Sequence, residues 1–132
     1  MAQNYQQFST TVDYTTEEQR QWLSVELSKE NEDGYTPNEY QDCKKENDPI
    51  GYFWVYAEES GDIERLAEIV SDYQQKFNLL GEWILRWACW CSKLRVDEFS
   101  GGAVAVYKGK VKWIDPYTIA RKWIDKQTPK KK

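Results

Sequence analysis

Apolar residues recur along this chain at two different periods, and each change of period marks a new element. Ile63, Leu66, Ala67, Val70, Tyr73 and Phe77 follow helical spacing with polar residues between them, which predicts a helix over 62–77. Thr16-Glu17-Glu18-Gln19 has the spacing of a capping box and predicts a helix over about 16–28 that buries Trp22, Leu23 and Leu27. Asp115-Pro116 supplies an N-cap and a proline at the first helical position, opening a third helix with Ile119, Ala120, Trp123 and Ile124 turned inward.

The remaining apolar segments read as strands. Phe8 to Asp13 alternates weakly. Ile50 to Ala57 is a continuous run of strand formers, as expected of a central strand covered on both faces. Glu82 to Ser92 places Trp83, Leu85, Trp87, Cys89 and Cys91 on one face and Ile84, Arg86, Ala88 and Trp90 on the other, with both faces expected to be buried. Ala103–Tyr107 and Val111–Ile114, joined by Lys108-Gly109-Lys110, predict a hairpin. Residues 29–49 show no period and contain Gly34, Pro37 and Pro49, so they read as a long acidic loop pinned by Tyr35 and Tyr40; 127–132 reads as a disordered basic tail.

These elements give an α+β domain with a mixed sheet of about five strands and three helices, in the order β-α-loop-β-α-β-β-β-α. A right-handed crossover through the helix at 62–77 makes the strands at 50–57 and 82–92 parallel. The core is expected over residues 50–124, with the first strand and helix as additions. At 132 residues the chain has room for one core, and 7 Trp with 9 Tyr supply much of its buried area.

Composition removes several kinds of chemistry. With no histidine, imidazole-based nucleophile activation, acid–base work and zinc ligation are excluded. Cys43, Cys89 and Cys91 lack the spacing of a disulfide framework or a metal site, so no cofactor or metal is expected. No secretion signal and no long apolar run is present, so the expectation is a cytoplasmic protein without membrane contact. The net charge of −4 conceals an uneven distribution, because residues 1–50 carry 11 acids against 4 bases whereas 101–132 carry 2 against 9.

Two surfaces are candidates for binding. Parallel strands bring their C-terminal ends to one edge, where Glu58, Glu59, Ser92, Lys93, Arg95 and Asp97 would meet Gly101 and Gly102, a pair able to bring backbone close to a ligand. Solvated ion pairs and a tight turn are the plainer reading of the same residues. Lys108, Lys110, Lys112, Arg121 and Lys122, with Trp113 for stacking, are the alternative, a nucleic-acid surface in the basic C-terminal third. Glu58 and Glu59 are strand neighbours pointing to opposite faces, which argues against paired-carboxylate catalysis.

Glu58-Glu59-Ser60-Gly61-Asp62, Cys91-Ser92-Lys93-Leu94-Arg95 and Phe99-Ser100-Gly101-Gly102-Ala103 together resemble a family of small proteins from phages, plasmids and bacterial genomes. Its pattern runs Glu-Glu-x-Gly-Asn, Cys-Ser-Lys-Pro-Arg and Phe-Gly-Gly-Gly-Ala; Asp62, Leu94 and Ser100 depart from it. The resemblance implies no reaction or cofactor. It implies a mobile-element context, in which a non-catalytic protein that binds a host macromolecule is expected, an anti-defence inhibitor such as an anti-CRISPR being one instance. A protein partner is the leading expectation, with nucleic acid or a small ligand at the strand edge as alternatives.

Overall fold

The computed structural model describes residues 4–32, 34–44, 50–58, 61–79, 81–91 and 100–128. Nine elements follow in chain order: β1 (Asn4–Tyr14), α1 (Glu17–Ser28), β2 (Glu39–Lys44), β3 (Gly51–Ala57), α2 (Ile63–Lys76), β4 (Glu82–Cys91), β5 (Ser100–Tyr107), β6 (Lys110–Ile114) and α3 (Pro116–Gln127). The α+β class holds, with six strands in one sheet rather than five.

Helix starts are set by short polar side chains, at Thr16 and Asp115 as the sequence predicts and at Asp62 in addition. Thr16 Oγ1 accepts from Gln19 N at 3.1 Å, and the Gln19 carboxamide reaches back to Thr15 N at 2.8 Å. The Asp62 carboxylate accepts from Arg65 N at 2.9 Å, and that of Asp115 from Tyr117 N at 3.1 Å.

The sheet order is β2-β3-β1-β4-β5-β6, and every neighbouring pair is antiparallel, so the sheet is not the mixed one expected, because β1 separates the two strands that run the same way. β1 runs against both β3 and β4, so these two point the same way, as expected of a crossover through α2. The strand between them was not expected: β1 lies mid-sheet and is no addition to a core elsewhere. Up to β4 the order β-α-β-β-α-β is that of the split βαβ, ferredoxin-like motif, which the β5–β6 hairpin extends by two strands.

One face of this sheet carries the core. Phe8, Val12, Phe53, Val55, Leu85 and Val104 meet Leu23 and Leu27 of α1 and Leu66, Val70 and Tyr73 of α2. Trp22 stacks on Tyr73 with centroids 5.8 Å apart and so joins the two helices. Full burial of each such aliphatic or aromatic side chain contributes about 1.5–3 kcal/mol.

The expectation that β3 and β4 are covered on both faces is overturned. Only one face is packed by α1 and α2, and on the other Tyr52, Trp54 and Ile84 are exposed. A continuous apolar run fits a doubly covered strand, but aromatic residues on an open face produce the same run.

The acidic stretch 29–49 is also more than a loop. Tyr40 packs edge-on to Phe53 at 6.1 Å, and Glu39–Lys44 pair with β3 as an edge strand. Tyr35 does not pin the segment, since it is 71% exposed. α3 departs furthest from expectation: Ile119, Trp123 and Ile124 face solvent and none of its residues is buried. The anticipated tail is helical to Gln127, and 129–132 fall outside the described residues.

Candidate functional site

Four surfaces carry chemistry, and the first is the edge where β3 and β4 end. Phe8 pairs with both Ala57 and Trp87, and β4 continues past that level until Cys91 pairs with Asn4. Glu58 sits exposed just beyond Ala57. Its surroundings are built by a residue the sequence reading passed over: buried Asn38 donates to Asp62 O at 3.1 Å and accepts from Asp62 N at 2.7 Å. That clamp fixes the N-cap of α2 beside the β3 terminus. Glu59, Ser92, Lys93, Arg95 and Asp97 lie outside the described residues, so only Glu58, Gly101 and Gly102 of this candidate set are placed.

Gly101 and Gly102 are strand residues of β5, paired with Ala88 and Trp87. Glycine is required there by crowding. A Cβ on Gly102 would stand 2.6 Å from Ile114 O and 2.9 Å from Trp87 Cζ2, and one on Gly101 would stand 2.8 Å from Trp87 O. The pair lets the Trp87 indole lie across β5, where it meets Trp113 edge-on at 5.7 Å.

The second surface is a cleft of about 440 Å³ between β1, α2 and the start of β4, lined by Gln19, Tyr73, Gln74 and Trp83 among others. Its polar groups are spent on one another. Tyr73 Oη donates to Asp13 O at 2.8 Å, Trp83 Nε1 donates to Thr11 O at 3.2 Å, and burial holds the Tyr73 hydroxyl well above the usual tyrosine range. A similar tie joins three elements nearby: Tyr14 Oη donates to Asp42 Oδ1 and Arg20 Nε to Asp42 Oδ2, both at 2.6 Å. Burial, then the bond to Asp42, pushes the Tyr14 hydroxyl up to about 12. These groups brace the fold. Among the described residues no cluster of three or more Cys, Asp or Glu could hold a metal ion.

The third surface combines the basic residues of the C-terminal third with α3. Lys108 occupies the β5–β6 turn at φ 52° with its Nζ 5.3 Å from the Tyr107 ring, Lys110 pairs with Tyr107, and Lys112 pairs with Ala105. On α3, Arg121 bonds Asp125 at 3.0 Å, and Lys122 is exposed. Beside these cations runs an uncovered apolar stripe in which Pro116, Ile119, Ala120, Trp123 and Ile124 continue from Ile114. Trp123 is 64% and Ile119 55% exposed. The helical period was legible in the sequence; that the stripe finds no partner among the described residues was not.

The fourth surface is the open face of the sheet, where Tyr52 and Trp54 of β3 stand beside Ser9 and Thr11 of β1. In comparisons with known proteins, no family model, no curated protein and no solved structure matches the chain.

Proposed function

We propose that the protein acts by binding rather than by catalysis, as an interaction protein that lays the apolar face of α3 into an acidic-rimmed groove of another protein. The observation that carries this reading is that α3 buries none of its residues while bearing Ile119, Trp123 and Ile124 on one stripe. A helix of this length is marginal in water without tertiary packing, so its apolar side chains gain most of their stabilisation from an outside partner.

The spacing from Pro116 through Ile119 and Ala120 to Trp123 and Ile124 is that of a helix-in-groove ligand. Arg121, Lys122 and Lys126 flank the stripe, which favours acidic residues on the rim of the groove. A host protein as that partner, inhibited by an anti-defence protein, is the form this reading takes in the mobile-element context of the resemblance.

A photo-crosslinking residue at position 123, with one at the equally exposed Tyr35 as control, tests it. In nuclease-treated host lysate, position 123 should give one discrete adduct that position 35 does not. The purified adduct partner should then bind the wild-type chain at least tenfold more tightly than the Ile119→Asp variant. A sole adduct of twice the chain's own mass, an adduct lost on nuclease treatment, or an Ile119→Asp variant that binds like wild type would each overturn the reading.

A further inference from the structure

We infer that the open face of the sheet is a binding platform for single-stranded nucleic acid, with bases stacked on Tyr52 and Trp54 of β3 and phosphates drawn to Arg86 of β4 and Lys112 of β6. This surface is distinct from the apolar stripe of α3 and stands on separate observations.

The first observation is the relief of the surface. Tyr52 and Trp54 are 38% and 37% exposed, although the face has water on one side only and lies within a six-stranded sheet. Short side chains stand beside each ring on one side, Thr11 of β1 beside Trp54 and Cys43 of β2 beside Tyr52, with Ser9 of β1 beside Tyr56, while Gln41 and Asp13 occupy the other sides of Trp54 and Tyr52. Tall rings beside short hydroxyl and thiol side chains leave a shallow groove, lined by Ser9, Thr11, Cys43, Tyr52 and Trp54. The rings are also held still. Trp54 Nε1 donates to Ser9 Oγ at 2.8 Å, and Trp54 and Tyr56 stack with centroids 4.1 Å apart and planes 26° from parallel. A ring already oriented loses little freedom when a base stacks on it.

The second observation is position. β3 and β1 are the two inner strands of the β-α-β-β-α-β unit, and a sheet of that order that stacks bases does so through aromatic residues on its inner strands. Gly51-Tyr52-Phe53-Trp54-Val55 reproduces the Gly-aromatic-x-aromatic-Val core of such a strand, while Ile50, Phe53 and Ala57 depart from the basic, small and aromatic residues of the full pattern.

The third observation is charge. Trp87 pairs with Phe8, so the preceding Arg86 lies two strands, roughly 10 Å, from the Tyr56 that pairs with Ser9. Between Arg86 and Lys112 the β5 residues are the small Ala103 and Ala105, and the nearest acid of β4 on this face is Glu82, two residues beyond Ile84. One carboxylate stands on each side of β3, Asp13 of β1 beside Tyr52 and Glu39 of β2 beside Tyr56. This arrangement orients the ligand, since a sugar-phosphate backbone is repelled from Glu39 and from the Asp13 end of β1 and attracted toward Arg86 at the Ser9 level and Lys112 beyond it, while its bases reach over β3.

The test is fluorescence anisotropy of labelled oligo(dT), oligo(U) and a mixed-sequence duplex with the full chain, at two salt concentrations. Single strands should bind, more weakly as salt rises, and the duplex should bind at least tenfold less tightly. Trp54→Ala and Tyr52→Ala should each weaken binding roughly 5- to 100-fold, the range for one lost base stack, and Trp54→Phe should retain most of the affinity. Arg86→Ala with Lys112→Ala should lower the slope of log K against log salt by roughly 0.7 for each cation removed. Trp123→Ala should leave binding unchanged, so failure here and failure of the α3 reading remain distinguishable. Photo-crosslinking of 5-iodouracil oligonucleotide should map to β3, a readout that does not depend on any variant folding. No binding at low salt, crosslinks confined to the C-terminal lysines, or affinity indifferent to Trp54→Phe and Trp54→Ala alike with equal duplex binding would overturn the inference; preference between the RNA and DNA strands names which of the two it takes.

Discussion

Replacing Gln74 by leucine should cost about 2 kcal/mol, because one buried side chain serves three backbone groups on different elements. Gln74 is 5% exposed on α2; its Nε2 donates to Gly81 O and Val106 O, both at 3.2 Å, and its Oε1 accepts from Gly109 N at 2.9 Å. It thereby fixes the start of β4 and the β5–β6 turn to the helix. Each bond is worth about 1 kcal/mol net, so their loss removes about 3. Leucine has similar volume and returns about 1 kcal/mol through apolar burial. With a urea m of about 1.5 kcal/mol/M, the midpoint should fall by about 1 M with m unchanged. Gln75→Leu is the control: its side chain is exposed and reaches Ser71 Oγ and Gly109 O at 3.3 and 3.2 Å, so its loss should stay within about 0.5 kcal/mol. A Gln74→Leu midpoint within error of wild type, or equal to that of Gln75→Leu, would refute the reasoning.

Three further outcomes are expected. Tyr14 and Tyr73 both titrate higher folded than the ordinary tyrosine value, so the stability they confer is complete below about pH 10 and is lost as pH rises through their folded values. Urea midpoints should hold to about pH 9.5 and then fall, less steeply in Tyr14→Phe; a flat profile to pH 12 would contradict this. Gly102→Ala should cost about 1–3 kcal/mol through overpacking against Ile114 O and Trp87, lowering Tm by about 3–4 °C per kcal/mol, whereas Gly81→Ala, with open space around it, should be neutral. Trp123→Ala should cost the isolated chain less than about 1 kcal/mol, against about 2–5 for Leu66→Ala at a fully buried site; comparable losses would mean that α3 packs on its own domain.

Local signals carried much of the fold. The period of Ile63 to Phe77 and the caps at Thr16 and Asp115 placed all three helices to within a residue or two, because those signals depend on neighbours three and four positions away. Strand order was illegible, since nothing in Phe8, Val12 and Tyr14 records that their strand lies between two later ones. β2 was missed because Glu39-Tyr40-Gln41-Asp42-Cys43-Lys44 is an edge strand with one core contact, and its polar residues mimic a loop. The α3 stripe was read correctly and assigned the wrong partner, as an amphipathic pattern says that a face is to be covered without saying by which chain. For the candidate site, Glu58 and the glycines were placed, whereas the aromatic residues of β3 were read as core because exposure is a property of the layer above them.

The mid-sheet position of β1 also governs how the chain reaches its folded state. β1 is synthesised before either of its partners, and its two edges stay unpaired until residues 57 and 91 have been made. Both strand pairings that seat it in the sheet close long loops, so the sheet is assembled by non-local pairing and its folding rate should lie toward the slow end for mixed α/β domains. In the interval, an alternating strand with both edges free is the segment of this chain most open to pairing with a neighbour. Its side chains suit that interval: Gln7, Ser9, Thr11 and Asp13 keep one face polar over 7–13, so along that stretch the waiting strand offers an apolar surface on one side only.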